Sequence, residues 1–347
     1  MIDTVRTNVS RFSEAPSGSR RGLLRLCMWG GLVALMPAAV AKANEAGNAR
    51  VQTVPTLPDP ALPIVDVRFP AEIAPGVFIL PDKRIPLVPN VGIVVGRDSV
   101  LVVDCGLGPQ NGENVIKLAR QLAPGRSIIL TVTHAHPEHG FGAQAFKPDA
   151  RIYYNAAQRD YFARSGTTLL DGFRAVLSTE RRALLDGVVL TPPDQTYDGD
   201  RATLDLGGRQ VEFHTWGTAH SPGDQIVHLP DEQIVFIGDL IEERMFPIVP
   251  FFPPMINASD INVARWESVL RDVLALQPRL IVPGHGNLGG PEIATDLLGY
   301  FTEARAVFRT TGVPSAELDQ RLRAKYPTWE HSEYISPARQ YLAQLPG

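Results

Sequence analysis

A chain of 347 residues with 44% apolar content can bury one large core or two modest ones, and its composition excludes an intrinsically disordered protein. The formal net charge of −4 is spread without a basic block, which excludes the electrostatic footprint of a nucleic-acid binder or of a polybasic membrane surface. A small-molecule substrate is the expected partner, with no nucleic acid.

Residues 1–43 have the order of an export leader. Ser19-Arg20-Arg21-Gly22-Leu23-Leu24-Arg25 precedes an apolar run over 26–40, and Ala41-Lys42-Ala43 supplies the small-x-small pattern of a cleavage site. The paired arginines resemble the twin-arginine class of signal, so the twin-arginine export machinery is an expected partner. That route carries proteins already folded and often already loaded with a cofactor, and it predicts a periplasmic or secreted protein with no stable membrane association after cleavage. The alternative is a membrane anchor over 23–40, since about 18 apolar residues span a bilayer; Gly30, Gly31 and Pro37 weaken such a helix. Residues 44–70, rich in Pro, Ala and Asn, read as an N-terminal extension. Once the leader carrying Cys27 is removed, Cys105 stands alone and no internal disulfide forms; it reads as a buried small residue.

Short β-type runs follow at Val77–Leu80 and Val91–Val95, and 100–103 continues the meander across the turn Gly96-Arg97-Asp98-Ser99. Over 114–122, Val115, Ile116, Leu118 and Leu122 have helical spacing, and 127–132 reads as a buried strand. Residues 151–154 are another strand candidate, and 156–185 reads as largely helical with breaks at Gly166 and Gly172. A second half begins near Thr191 and repeats the logic: strands at 202–206, 210–214, Gln225–Leu229 and 234–237, a helix over 261–276, and a strand at 280–282. Two β-rich halves with helices outside predict an α/β fold, a four-layer αββα sandwich over 71–310. The polar, helix-compatible stretch 311–347 is expected as a C-terminal helical extension packed on the outside.

Thr133-His134-Ala135-His136-Pro137-Glu138-His139-Gly140 places three imidazoles and a carboxylate within six residues, directly after a strand. Imidazole nitrogen and carboxylate oxygen suit zinc and related divalent ions, and a loop leaving a strand end can aim alternate side chains into one cavity. Three further segments each join a strand to a tight Gly or Pro turn bearing one candidate ligand: His220 in Gly217-Thr218-Ala219-His220-Ser221-Pro222-Gly223-Asp224, Asp239 after Gly238, and His285 between Gly284 and Gly286. His214, His228 and His331 match no such motif and are read as packed or solvated residues. Asp224 is read either as the acceptor that closes the Ser221-Pro222-Gly223 turn or as a support for His220.

The series His-x-His-x-Asp-His, then His, Asp and His, in this order over about 72–310, resembles the metallo-β-lactamase superfamily. The resemblance implies that His134, His136 and His220 hold a first metal and that His139 and His285 hold a second. Asp239 would bridge both, and hydroxide between them would be the nucleophile. It also implies a supporting role behind the ligands for Asp104 in Val103-Asp104-Cys105-Gly106. Zn2+, as one or two ions, is the implied cofactor, with iron as the alternative.

The chain departs from that series at one ligand. Glu138 stands where the family has Asp, a ligand to the second metal. One more methylene moves the carboxylate by about 1.5 Å, which would displace, weaken or empty the second site; Glu138 would otherwise serve as a general base. The catalytic candidates are therefore Glu138 and Asp239. The leading reading is hydrolysis of an ester, thioester, lactone or amide bond, β-lactams included. The alternative is a persulfide-dioxygenase-like oxidoreductase with a single iron on His134, His220 and Asp239. A binding module without activity would usually have lost ligands. Met245, Phe246, Phe251, Phe252, Pro253 and Pro254 follow Asp239 and read as either core or a roof over the cleft, and Trp266 as core.

Overall fold

The computed structural model describes residues 61–249 and 255–345. The leader and most of the N-terminal extension lie outside the described residues, as do Phe251, Phe252, Pro253 and Pro254.

Two sheets carry the fold. The first runs β1 (Ala71–Ala74), β2 (Val77–Leu80), β3 (Val91–Val95), β4 (Ser99–Val103), β5 (Ser127–Thr131), β6 (Ala150–Asn155) and β7 (Gln195–Tyr197), in that spatial order. The second is ordered β12 (Leu280–His285), β11 (Ile234–Glu242), β10 (Gln225–Leu229), β9 (Gln210–Thr215) and β8 (Arg201–Asp205). The first is antiparallel up to β4 and parallel from β4 to β7. In the second, β11 and β12 are parallel. Parallel neighbours need crossovers, and helices supply them: α1 (Pro109–Leu122) between β4 and β5, α2 (Ala156–Val176) between β6 and β7, and α3 (Val263–Ala275) between β11 and β12.

Alternation along the strands sorts side chains into three cores. Leu101, Val103 and Ile129 from one sheet meet Phe213, Val227 and Phe236 from the other in a layer between the sheets. Val100, Val102 and Ile128 point the opposite way, onto Val115 and Ala119 of α1. On the far side Ile226, Val235 and Ile281 pack against α3 and α4 (Glu292–Phe308). Helix, sheet, sheet, helix is the predicted four-layer αββα sandwich.

One expectation is corrected in detail and two are extended. Helix α2 runs unbroken through Gly166 and Gly172. A helical glycine costs only about 1 kcal/mol relative to alanine, and Gly172 leaves room for the Met255 side chain, whose sulfur would lie 2.0 Å from a Cβ there. The C-terminal extension does more than lie on the outside: α5 (Ser315–Lys325) and α6 (Ile335–Gln344) bury Leu318, Leu322, Ile335 and Leu342 in the same core as α3 and α4. Its polar composition conceals one apolar face per helix. The end of the N-terminal extension is also tied down, with the Val65 amide donating to Asn111 Oδ1 at 2.8 Å and Asn111 Nδ2 donating to the Pro63 carbonyl at 2.9 Å.

Cys105 is fully buried, as read, and its Sγ lies 3.3 Å from the His139 carbonyl. Burial, and secondarily the Asp104 charge, push its thiol well above the ordinary value. In a Cys27→Ser background it is expected to resist maleimide labelling at pH 8 until the protein is unfolded. Rapid labelling of the native protein would show that this core opens.

Candidate metal centre

Strand ends deliver the site. Val132 to Pro137 leaves β5 as a loop, and His136 then caps a single helical turn, Pro137–Gly140, that carries Glu138 and His139. His220 lies in the loop from β9 to β10, Asp239 within β11, and His285 at the last position of β12. All seven predicted ligand residues are buried. They fall into two groups whose donor atoms lie within 4.8 Å of one another: His134, His136, His220 and Asp239, and then Glu138, His139, His285 and again Asp239.

Asp239 joins the groups through separate oxygens. Its Oδ2 is 3.5 Å from His134 Nε2 and 3.8 Å from His220 Nε2, while Oδ1 is 3.2 Å from His139 Nε2 and 3.8 Å from His285 Nε2. His136 Nδ1 and His220 Nε2 are 3.2 Å apart. The close approach of β11 to β12 requires glycine, since a Cβ on Gly284 would fall 1.8 Å from Asp239 Oδ1.

Several of these atoms are buried without a hydrogen bond: His134 Nε2, His139 Nε2, Asp239 Oδ1 and Glu138 Oε2. Burying polar atoms unpaired is costly, and here they converge on the same two points. Imidazole nitrogens and carboxylate oxygens so arranged fit divalent transition-metal ions, one to each group. Glu138 reaches the second group in spite of its extra methylene.

The electrostatics fit as well. Burial pushes His134 down to about 3 and His220 down to about 4, and it also places His136 well below the ordinary imidazole value. These rings are therefore neutral and their lone pairs available. Burial opposes a charged His139 too, but the Asp239 and Asp104 carboxylates outweigh it and hold that ring well above the ordinary value.

Asp104 stands behind the ligands as the sequence suggested. It accepts from His139 Nδ1 at 2.9 Å, from the Thr133 amide at 2.7 Å and from Thr133 Oγ1 at 2.9 Å. The first bond fixes the His139 tautomer, leaving Nε2 for the cluster. Asp104 has φ 65°, which Asn tolerates, so Asp104→Asn is expected to keep the backbone. It should weaken metal at the second group by about 10- to 100-fold, read by competition with a chromophoric chelator; unchanged affinity would remove Asp104 from this role. Asp224 resolves to the turn reading, accepting from the Ser221 amide and hydroxyl and from the Ala219 amide. Trp266 is core, and its ring also lies 5.1 Å from that of His220.

Three supports were not legible in the sequence. Asn90 Nδ2 donates to the Pro283 and Gly286 carbonyls at 3.0 and 2.9 Å, and the Gly286 amide donates to Asp82 Oδ2 at 2.8 Å, clamping the His285 turn. Glu242 is also buried here; burial, then the Asp239 and Glu138 charges, push it well above the carboxylate range. Its signal in the sequence was an acid three places past Asp239 in an apolar strand.

A cavity of about 120 Å³ opens beside His136 and Glu138, and its other walls are largely apolar, with Leu87, Phe173, Ile248, Met255 and Tyr334 among them. Ile248 and Met255 flank the loop expected as a roof, whereas Phe246 is core. A larger cavity, about 790 Å³, opens near Ser99 and Ser127 at the opposite ends of β4 and β5, and none of the seven predicted ligand residues lines it.

The Metallo-beta-lactamase superfamily model matches residues 84–285, more than half of the chain, and the match runs from the loop before β3 to the last ligand. The chain belongs to the metallo-β-lactamase superfamily. A metallo-β-lactamase type 2 from Bacteroides fragilis is 32% identical over 96 residues, 27% of this chain and 36% of that protein. The chain thus spans about a third of the length of that relative. A metallo-β-lactamase from Pontibacter korlensis superposes with TM-score 0.51 at 18% identity, over 67% of this chain and 97% of the other. A metallo-β-lactamase family protein from Thermus thermophilus gives TM-score 0.54 at 19% identity, over 78% and 95%. At such identities these two superpositions speak for the fold alone.

Proposed function

We propose that this superfamily member is a metal-dependent hydrolase that opens a carbonyl-type bond, an ester, thioester, lactone or amide, β-lactams included, in a small substrate with an apolar group. One observation carries the reading: two ligand groups share a single carboxylate, Asp239, beside a cavity whose walls are otherwise largely apolar. Divalent metal, zinc by preference for this donor set, would supply Lewis acidity and lower the pKa of a water to about 7. His134, His136, His220 and Asp239 would hold one ion, and Glu138, His139, His285 and Asp239 the other.

The chain's own residues do the rest. Asp239 keeps both groups in register, and Asp104 holds His139 by Nδ1. Leu87, Phe173 and Tyr334 exclude water around the substrate's apolar part, which strengthens every charge interaction at the cavity floor. Where Glu138 does not hold the second ion, its carboxyl, raised by burial above the ordinary carboxylate value and lining the cavity beside His136, is the candidate group to accept or return a proton. The leader-type sequence at 1–43 supports export to the periplasm or beyond as part of the proposal, and no helix among the described residues is long and apolar enough to cross a membrane.

The test is elemental analysis of protein purified from its native route, alongside a panel of ester, lactone, thioester and β-lactam substrates. Zinc filling both groups of this centre, with turnover of at least one class, is the expected result. A single iron with oxygen consumption and no hydrolysis would replace this reading with the dioxygenase-like one.

A further inference from the structure

Outside the main centre, the metal-ligating groups among the described residues include Glu212, His214 and His228, with donor atoms within 4.8 Å of one another. The two histidines belong to no motif of the sequence, and the strands bring them together. Glu212 and His214 are two apart on β9 and share a face, and the register pairs His228 of β10 directly with Glu212. The alternate residues, Val211, Phe213, Val227 and Leu229, fill the layer between the sheets, so the trio stands on the outer face of the second sheet.

Both rings converge on one oxygen: His214 Nε2 lies 3.0 Å and His228 Nδ1 3.1 Å from Glu212 Oε2. Tetrahedral coordination with bonds of 2.0–2.2 Å would set donor atoms about 3.3 Å apart, and His136 and His220 in the main centre are 3.2 Å apart. The two distances to Glu212 Oε2 lie close to that spacing. The imidazoles are buried, with side chains 2% and 9% exposed, whereas Glu212 is 37% exposed and opens the group to solvent. Trp216 stacks on His214 with ring centroids 5.8 Å apart and an interplanar angle of 21°, fixing the ring. Burial holds His214 below the ordinary imidazole value, so the ring is neutral at neutral pH.

We propose that Glu212, His214 and His228 form an additional binding site for a divalent transition-metal ion such as zinc, separate from the main centre. Two imidazole nitrogens and one carboxylate oxygen come from the protein, and water completes the shell. Donors on paired strands are positioned before the ion arrives. Arg201 lies directly opposite His214 on β8 and opposes a cation, so the affinity falls below that of the main centre. The loop from β9 to β10 carries His220, so an ion here clamps the base of the hairpin that presents a main-centre ligand.

The test strips the full chain with chelator, dialyses it against zinc chloride and counts bound zinc by elemental analysis, beside Glu212→Gln and His228→Gln. The expected result is one equivalent of zinc lost in each variant, with unchanged circular dichroism. Equal zinc content in all three proteins overturns the proposal and leaves the trio as a hydrogen-bonded group. Should a variant misfold, anomalous scattering at the zinc edge from crystals of the unaltered protein decides: a peak among the three side chains supports the site, and its absence overturns it.

Discussion

Replacing Asp239 by Asn is expected to lower hydrolysis by about a thousandfold or more and to deplete metal from both groups. Asp239 is the carboxylate that faces the three-histidine group, and its other oxygen faces His139 and His285. An amide of the same shape removes the charge from both at once. Metal-based stabilisation of a transition state is worth several kcal/mol, and about 1.4 kcal/mol is a factor of ten, so loss of some 4 kcal/mol gives the thousandfold figure. Loss of fold is not expected to explain it, because Asp104 still accepts from His139 and Gly284 still leaves room for the side chain. Circular dichroism in the presence of chelator checks that point. Wild-type zinc content and turnover in the variant would remove Asp239 from the centre.

The second large effect is one of pH. In the metal-free protein His139 holds its proton well above the ordinary imidazole range because Asp239 and Asp104 outweigh its burial. Metal must displace that proton, so affinity at the second group is expected to fall by about tenfold per pH unit as pH drops from 8 to 5. The first group behaves differently: His134 near 3 and His220 near 4 carry no proton to displace in this range. Titration calorimetry in buffers of different ionisation enthalpy should show proton release with the second ion and none with the first. Equal, pH-independent uptake of both ions would contradict the assignment. Without metal, the raised His139 stabilises the fold fully below its unfolded value near 6.5, and that contribution is lost as pH rises through the folded value.

The ligand set was legible because it is local. His134, His136, Glu138 and His139 fall within six residues, and His220, Asp239 and His285 each stand beside a Gly or Pro at or near the end of an apolar run. Short apolar runs likewise disclosed ten of the twelve strands among the described residues and thus the four layers, whereas the short edge strands β1 and β7 gave no such run. What stayed hidden depends on distance in the chain. Asn90 and Asp82 hold the His285 turn from about two hundred residues away, and neither carries a local signal. Nor does His228, which meets Glu212 only through the register of two strands. Gly166 and Gly172 misled for the opposite reason: local helix propensity argued for a break, and packing against Met255 overrode it.

The C-terminal segment is stitched to the catalytic half by main-chain bonds, Phe246 to Glu330 at 3.0 Å and Glu330 to Arg244 at 2.9 Å, and by the Arg84–Glu330 ion pair at 3.2 Å. This holds Tyr334, which lies beyond the superfamily match, against the cavity beside His136. The ligand set and most of the cavity wall thus lie in one stretch of the gene, and one wall residue, Tyr334, comes from another. A chimera carrying only residues 71–310 would import all six histidine and aspartate ligands yet leave the doorway without one of its jambs. Selection on the tail can therefore retune which molecules enter while the ligands stay as they are.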